Sequence, residues 1–573
     1  MICHNDDMAD SKQRFCSLWL LAALGFLLPL GCQQTGDASQ LPQTSPAASH
    51  SSDSLQAIIA AGEALAHQLQ ARDADWDALP VLTPFYQQRE HQLRWLDSAQ
   101  REQVEAVLSH AYFQGLPPAR YAVLRPENPD PDQAATADLA LSDALLRYTR
   151  DRCHGVYTTD SSALTWLPTL RVPDWRVILD PALDSASREA LWQSWEPQHQ
   201  PYRVLLTATS RFVASFPDEN QSAQVPTEKE DSTLAKTLVC ELLLHRGWLD
   251  SAATGSNAAI SAALKRFQRH HGLTADGKVG RYTAAALGRS NRSRWRSLAT
   301  TLERWRLEEA WPQPYAWVSM PHFSLFLVDD DTILFSHRVV VGTTKNPTPE
   351  ITSKIDLVVA YPYWYVPFSI SSKEILPKIR SDSTYLARNG YHIRDRGGQE
   401  VDPASVDWNS IQTATFPYSV RQAGGSGNAL GLIKFIFPNP HAVYLHDTNA
   451  KKYFSFEQRA YSHGCVRLER PMDFAAYLLG REDGSTTMVD VRSAIANRQE
   501  RKIPLRQRLP IYMRHFSTLA GPDGLPVFGT DLYGLDAAFR ADIQAKKVRR
   551  QAVMDSIATL VSIPAEAAPL ESP

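Results

Sequence analysis

Eight consecutive residues, Tyr461-Ser462-His463-Gly464-Cys465-Val466-Arg467-Leu468, bring together a hydroxyl, an imidazole, a thiol and a guanidinium. The reactive form of cysteine is the thiolate, so a nucleophilic Cys465 needs proton-accepting or cationic neighbours and N–H groups aimed at the reacting carbonyl. Gly464 has no Cβ to obstruct a substrate and tolerates backbone angles that turn N–H groups toward an oxyanion. A second imidazole, His446, closes the β-like run Val443-Tyr444-Leu445-His446-Asp447, with fifteen residues between it and Ser462. That separation suits two strands joined by a loop. In such a pair Cys465 is the nucleophile and His446 the general base, later the acid. The N–H groups of Gly464 and Cys465 are candidates for the oxyanion hole. Arg467 shares strand parity with Cys465 and can hold a carboxylate bidentately. Asp447 falls on the opposite sheet face from His446, so the partner that orients the imidazole is either this carboxylate or a backbone carbonyl. Ser462 and His463 line the site.

The order His446, fifteen residues, Ser462-His463-Gly464-Cys465-Val466-Arg467 resembles the signature of the L,D-transpeptidases, cysteine enzymes that cross-link bacterial peptidoglycan. Asn428-Ala429-Leu430-Gly431, Lys434-Phe435-Ile436-Phe437-Pro438-Asn439 and Leu445-His446-Asp447-Thr448 continue the likeness to the large periplasmic members. The resemblance implies a thioester on Cys465, formed from a donor stem tetrapeptide with loss of D-alanine. The amine of an acceptor stem then attacks it, giving a 3-3 cross-link in cell wall biogenesis. No cofactor or metal is implied.

The chain has 573 residues, which predicts three or four structural units. Its 43% apolar and 21% charged residues are ordinary for a globular protein, and a net charge of −3 gives no sign of a nucleic-acid partner. Lys12 and Arg14, the apolar run 15–28 and Gly31-Cys32 read as a secretory leader over residues 1–32. Gly31-Cys32 also resembles a lipoprotein box, so a lipid anchor at Cys32 and a periplasmic, membrane-tethered location are expected. Residues 33–52, rich in Ser, Gln, Thr, Ala and Pro, form a linker. Beyond Cys3, Cys16 and Cys32 only Cys153, Cys240 and Cys465 remain, too few for a disulfide framework.

The expected fold class is α+β multidomain: a β-rich catalytic domain with a helical scaffold and a three-helix peptidoglycan-binding domain. Residues 53–230 carry helical apolar spacing, as in Val104, Val107, Leu108 and Tyr112, and resemble the family's scaffold domain. Trp166, Trp175, Trp192 and Trp195 within it either fill the core or line a sugar groove. In residues 231–289, Ile260, Ala263, Leu264 and Phe267 share one helix face that ends at His271-Gly272. Thr283 is expected to cap the helix that follows. With Phe267-Gln268, Asp276-Gly277 and Gly280, this region resembles the peptidoglycan-binding domain. Residues 290–313 read as a linker helix. Alternating apolar residues from Trp317 mark the catalytic domain over 314–495, broken at about 369–423 by an insertion that the family uses as a cap over the active site. Residues 496–573 form a C-terminal extension expected to dock on the scaffold.

Three other outcomes are compatible with these residues. Water in place of the acceptor amine gives an L,D-carboxypeptidase. The three-helix module alone gives a non-catalytic peptidoglycan-binding lipoprotein, working with other cell-wall synthesis partners. His441, His446, His463 and Cys465 gathered on an ion give a zinc hydrolase, although the chain has no H-E-x-x-H motif.

Overall fold

The structure, a computed structural model, describes residues 52–70, 79–123, 126–156, 174–484 and 486–541. The leader with Cys32, the linker up to residue 51, Trp166, the side chain of Trp175 and the end of the extension after 541 lie outside the described residues.

The scaffold is helical: α1 (Ser52–Gln70), α2 (Leu79–Gln88), α3 (Ser98–Ser109), α4 (Pro131–His154), α5 (Ser185–Trp195) and α6 (Gln200–Ser215). Helix α4 starts where its sequence dictates, with Asp130 and Gln133 forming a reciprocal capping box and Pro131 at the first helical position. Its Leu139, Leu145 and Tyr148 pack with Leu65, Tyr86 and Trp192. Trp192 is buried in that core and donates to Thr149 Oγ1, so it does not line a groove.

Helices α7 (Ser232–His245), α8 (Asn257–Arg269) and α9 (Arg281–Gly288) make the small module. Gly272 takes the left-handed conformation at the end of α8, with φ of 62°. Thr283 does not cap α9. Gly280 holds that position, and Thr283 is buried one turn in, accepting from Gln268 Nε2. The His270-His271 pair splits as adjacent helical residues must, His270 toward Asp523 and the Pro526 carbonyl, His271 toward the Phe267 carbonyl and Arg294.

Helix α10 (Asn291–Arg306) is more than a linker. Trp295 stacks on Tyr112 of the scaffold at 4.2 Å, and Arg306 donates to the Arg152 carbonyl. Arg304 pairs with Glu350 of the catalytic domain, and Trp305 packs on Phe516. Arg294, Arg304 and Arg306 are buried, and each finds a carbonyl or carboxylate: Arg294 the Ala286 carbonyl, Arg304 Glu350 and Arg306 the Arg152 carbonyl.

The catalytic domain is built on one sheet of β1 (Tyr315–Ser319), β2 (Ser324–Asp329), β3 (Thr332–Gly342), β4 (Ile351–Ala360), β9 (Ile433–Ile436), β10 (Leu445–His446), β11 (Ala460–Ser462), β12 (Val466–Leu468) and β13 (Arg501–Arg514). The strand order is β11-β3-β12-β10-β9-β4-β13-β1-β2, and a further β2–β3 pairing closes the eight strands other than β11 into a ring. Its interior holds Val318, Leu325, Leu327, Val358, Phe435, Leu445 and Val466, all buried. Helices α11 (Pro471–Gly480) and α12 (Met488–Ala496) pack against it through Phe474, Leu478 and Val491. Strand β13 lies between β4 and β1, so the sheet itself continues past the boundary expected at 495, to Arg514. Only the parts that follow, β14 (Thr518–Ala520) and β15 (Pro526–Phe528), pair apart from the sheet; there the Asp523 carbonyl accepts from Arg211 of α6.

The insertion has its own small sheet, of β5 (Trp364–Val366), β6 (Tyr391–Arg394), β7 (Glu400–Val401) and β8 (Ser419–Gln422) in the order β5-β8-β6-β7. Ile375, Leu376, Ile379, Leu386, Ile393, Phe416 and Val420 form a separate core beneath it. Strands of two to four residues are too short to register as alternation in sequence, which explains why the stretch read as irregular. At its root, the Asn428 side chain donates to the carbonyls of Pro362, Gln422 and Ala423.

Candidate active site

The two imidazole and thiol segments meet because β10 and β12 are parallel neighbours, with Leu445 opposite Val466 and His446 opposite Arg467. Strand β12 is held on its other side by β3, Arg467 facing Val340. Cys465 immediately precedes β12, at the end of a loop whose geometry is set by hydrogen bonds. Gly464 adopts φ of 117°, a region costly for any residue with a Cβ. Its carbonyl accepts from Thr348 Oγ1 at 2.7 Å, and its N–H donates to Ser462 Oγ at 3.2 Å. The Ser462 hydroxyl in turn donates to the Cys465 carbonyl at 2.5 Å. Ser462 is therefore buried and closes the loop on itself. The Gly464 N–H is already engaged, which removes it from the expected oxyanion hole and leaves the Cys465 N–H as the backbone donor at the thiol.

His446 is buried, and its Nδ1 lies 2.5 Å from the main-chain carbonyl of Asp447. A carbonyl can only accept, so Nδ1 carries the proton and Nε2 is left as the basic nitrogen. Burial lowers the imidazole pKa to about 3, and the positive charges of Arg467, Lys434 and Lys451 push in the same direction. At neutral pH the ring is uncharged, the state a general base requires. The Asp447 carboxylate turns the other way: it accepts from the Leu432 N–H at 2.9 Å and pairs with Lys451, over the face of Gly431 where a Cβ would collide with it. Asp447 thus touches the imidazole through its main chain alone.

Cys465 is partly exposed, and its Sγ lies 3.9 Å from the Ala442 carbonyl. Burial raises the thiol pKa above its ordinary value; hydrogen bonds from the Tyr444 backbone and hydroxyl, then the charges of Arg467 and Lys434, oppose the rise. The resting group is a thiol that needs a base. Tyr444, not singled out from sequence, lies two residues before His446, with the two rings 5.6 Å apart edge to face. Its hydroxyl reaches the sulfur and its ring lies 5.8 Å from the Lys434 ammonium. Strand parity with His446 is the sequence signal that could have found it. Ala442 holds φ of 53°, a strained value for a non-glycine residue, beside the thiol its carbonyl faces.

Arg467 lies over the Tyr453 ring at 5.6 Å, and its buried Nε has no hydrogen-bond partner among the described residues. A buried guanidinium N–H without a partner is poised for an anionic or carbonyl group from a substrate. His463 points away from the thiol, its Nε2 2.6 Å from Glu374 Oε1 in the insertion. His441 is exposed, with its backbone N–H on Asn439 Oδ1. The four donors of the zinc reading are thus directed separately, and among the described residues they do not form a ligand cluster.

Comparison with known proteins agrees with this architecture segment by segment. The L,D-transpeptidase catalytic domain matches residues 313–491, a scaffold domain matches 80–208, and a domain described as "Putative peptidoglycan binding domain" matches 241–287. A Haemophilus influenzae protein named "Putative L,D-transpeptidase" is 36% identical over 219 residues, which cover 38% of this chain and 44% of that protein. The chain thus spans less than half the length of that relative. A solved L,D-transpeptidase from Stackebrandtia nassauensis aligns with 52% of this chain and 96% of its own at 15% identity, with a TM-score of 0.19. Along the chain the scaffold, wall-binding and catalytic matches follow in that order, and residues 313–491, which hold His446 and Cys465, are matched by the L,D-transpeptidase catalytic domain.

Proposed function

We propose that this protein forms 3-3 cross-links in peptidoglycan through a thioester on Cys465, in the periplasm. The observation that carries the reading is the convergence on one sulfur of the Tyr444 hydroxyl and the Ala442 carbonyl, with a neutral His446 in the next strand. Nε2 of His446 takes the thiol proton as Sγ attacks the carbonyl of the third stem residue. The Cys465 N–H and the Tyr444 hydroxyl stabilise the oxyanion. Collapse breaks the bond to the terminal D-alanine, whose amine leaves with the proton from His446. The acceptor amine then loses a proton to His446, attacks the thioester and restores the thiol. The unpartnered Arg467 Nε holds the donor, meso-diaminopimelate at the third position suiting its preference for a carboxylate. The three-helix module supplies wall affinity, and Cys32 the membrane tether.

The test is to give the purified protein disaccharide tetrapeptide and weigh the products. A dimer that has lost one D-alanine is the expected result, absent with Cys465→Ala. A tripeptide monomer would mean carboxypeptidase action, and wall binding without either product would leave only the binding-module reading. Intact-protein mass spectrometry with a carbapenem should show one adduct, lost in Cys465→Ala.

A further inference from the structure

Behind the catalytic sheet, where β13 ends, a second cluster of ionisable side chains is left incomplete. His515 is fully buried, yet neither ring nitrogen makes a hydrogen bond. Its Nε2 lies 3.6 Å from Asp531 Oδ1 and its Nδ1 3.8 Å from Asp536 Oδ1, beyond hydrogen-bond reach. Asp536 is also buried, and its Oδ1 has no hydrogen-bond partner. One ligand atom from each of the three residues falls within 4.8 Å of the other two. The carboxylates are held from outside the cluster: Asp536 Oδ2 accepts from Ser517 Oγ, and Asp531 accepts the Asp536 N–H at Oδ1, the oxygen that faces His515, at 3.2 Å and the Ala537 N–H at Oδ2 at 3.1 Å.

Buried polar atoms are ordinarily satisfied, and His515 Nδ1, His515 Nε2 and Asp536 Oδ1, left without hydrogen bonds beside the Asp531 carboxylate, are an arrangement an ion would complete. We infer that His515, Asp531 and Asp536 bind a first-row divalent cation of the zinc class at a structural site remote from the thiol. One imidazole and two carboxylates make a borderline donor set, suited to zinc or manganese; calcium and magnesium prefer oxygen alone. Three protein ligands leave a position for water.

The site bears on the reaction through one side chain. Asp531 and Asp536 bracket Tyr533, whose hydroxyl donates to the Gly342 carbonyl at 2.9 Å and accepts from the Thr348 N–H at 3.2 Å. Thr348 Oγ1 then donates to the Gly464 carbonyl, next to the nucleophile. A cation that pins the segment 531–536 to His515 would hold this chain of contacts in place.

The experiment is a zinc titration of the full-length protein after removal of metal with a chelator, followed by calorimetry and by thermal unfolding. One equivalent should bind and Tm should rise until that equivalent is filled. Asp531→Asn, which keeps an acceptor for the helix cap, should weaken zinc by more than the roughly 10- to 100-fold typical of losing an outer-shell partner. Cys465→Ala should bind zinc as the parent does. Cobalt(II) in place of zinc should give no sulfur-to-metal charge-transfer band, a readout that does not depend on any variant folding. Absence of a stoichiometric equivalent in the parent would overturn the inference and leave a histidine between two carboxylates. An equivalent that Cys465→Ala removes, or a thiolate band with cobalt, would overturn it equally.

Discussion

His463 Nε2 and Glu374 Oε1 lie 2.6 Å apart, so the residue two before the nucleophile is tied to the inserted subdomain. Both side chains are nearly half exposed, which keeps the pair weak and reversible. Under the proposed two-substrate reaction, a contact of that kind would let the insertion open and close between substrates. Glu374→Gln should raise the ratio of hydrolysis to cross-linking and speed hydrogen exchange over 368–381, with little change in Tm. An unchanged product ratio would deny the pair a role in excluding water.

Tyr444→Phe removes the hydroxyl that reaches Cys465 and keeps the ring against His446. That hydrogen bond favours the thiolate, so its loss should move the pH profile of Cys465 alkylation to higher pH. Acylation should slow by roughly 100-fold if the hydroxyl also meets the oxyanion. A profile that does not move would exclude contact with the sulfur.

The pKa of His446 is held near 3 against an ordinary 6.5, chiefly by burial. The unfolded chain therefore binds a proton below about pH 6.5 that the folded chain refuses until about pH 3. Stability contributed by the neutral ring is complete above 6.5 and falls as the pH drops through this window, by roughly 1.4 kcal/mol for each unit. His446→Gln should flatten the acid limb of a denaturant-midpoint against pH curve between pH 6.5 and 3. Parallel curves for the two proteins would contradict a buried neutral imidazole.

Asp447→Asn should cost less than about tenfold in acylation, because the carbonyl that orients His446 belongs to the main chain. Asp447→Ala leaves the part-buried Leu432 N–H without its acceptor and should lower stability by about 1 kcal/mol. A collapse of activity in well-folded Asp447→Asn would return the carboxylate to the mechanism.

Arg467→Lys should raise KM for the donor with Tm nearly constant, since an ammonium cannot replace the fork whose Nε stands unpartnered. Equal donor kinetics in the two proteins would remove Arg467 from substrate recognition.

Read alone, the chain disclosed what depends on local order. Ser462-His463-Gly464-Cys465 with His446 fifteen residues before Ser462 pointed to a thiol and an imidazole on two short strands joined by a loop, and β10 and the strand after Cys465 are neighbours in the sheet. The left-handed Gly272 and the apolar stripe of α8 set that helix near its observed place, since each is decided within a few residues. Tertiary structure decided what depends on neighbours distant in sequence. Strand β13 belongs to the catalytic sheet only because β4 and β1 offer it two free edges. Helix α10 is buried because Glu350, the Arg152 carbonyl and Phe516 come from other segments to meet it. Thr348 reaches the Gly464 carbonyl across 116 positions of chain, and Tyr533 the Gly342 carbonyl across 191. No periodicity encodes such contacts, because side chains that far apart become neighbours only when the sheet has closed.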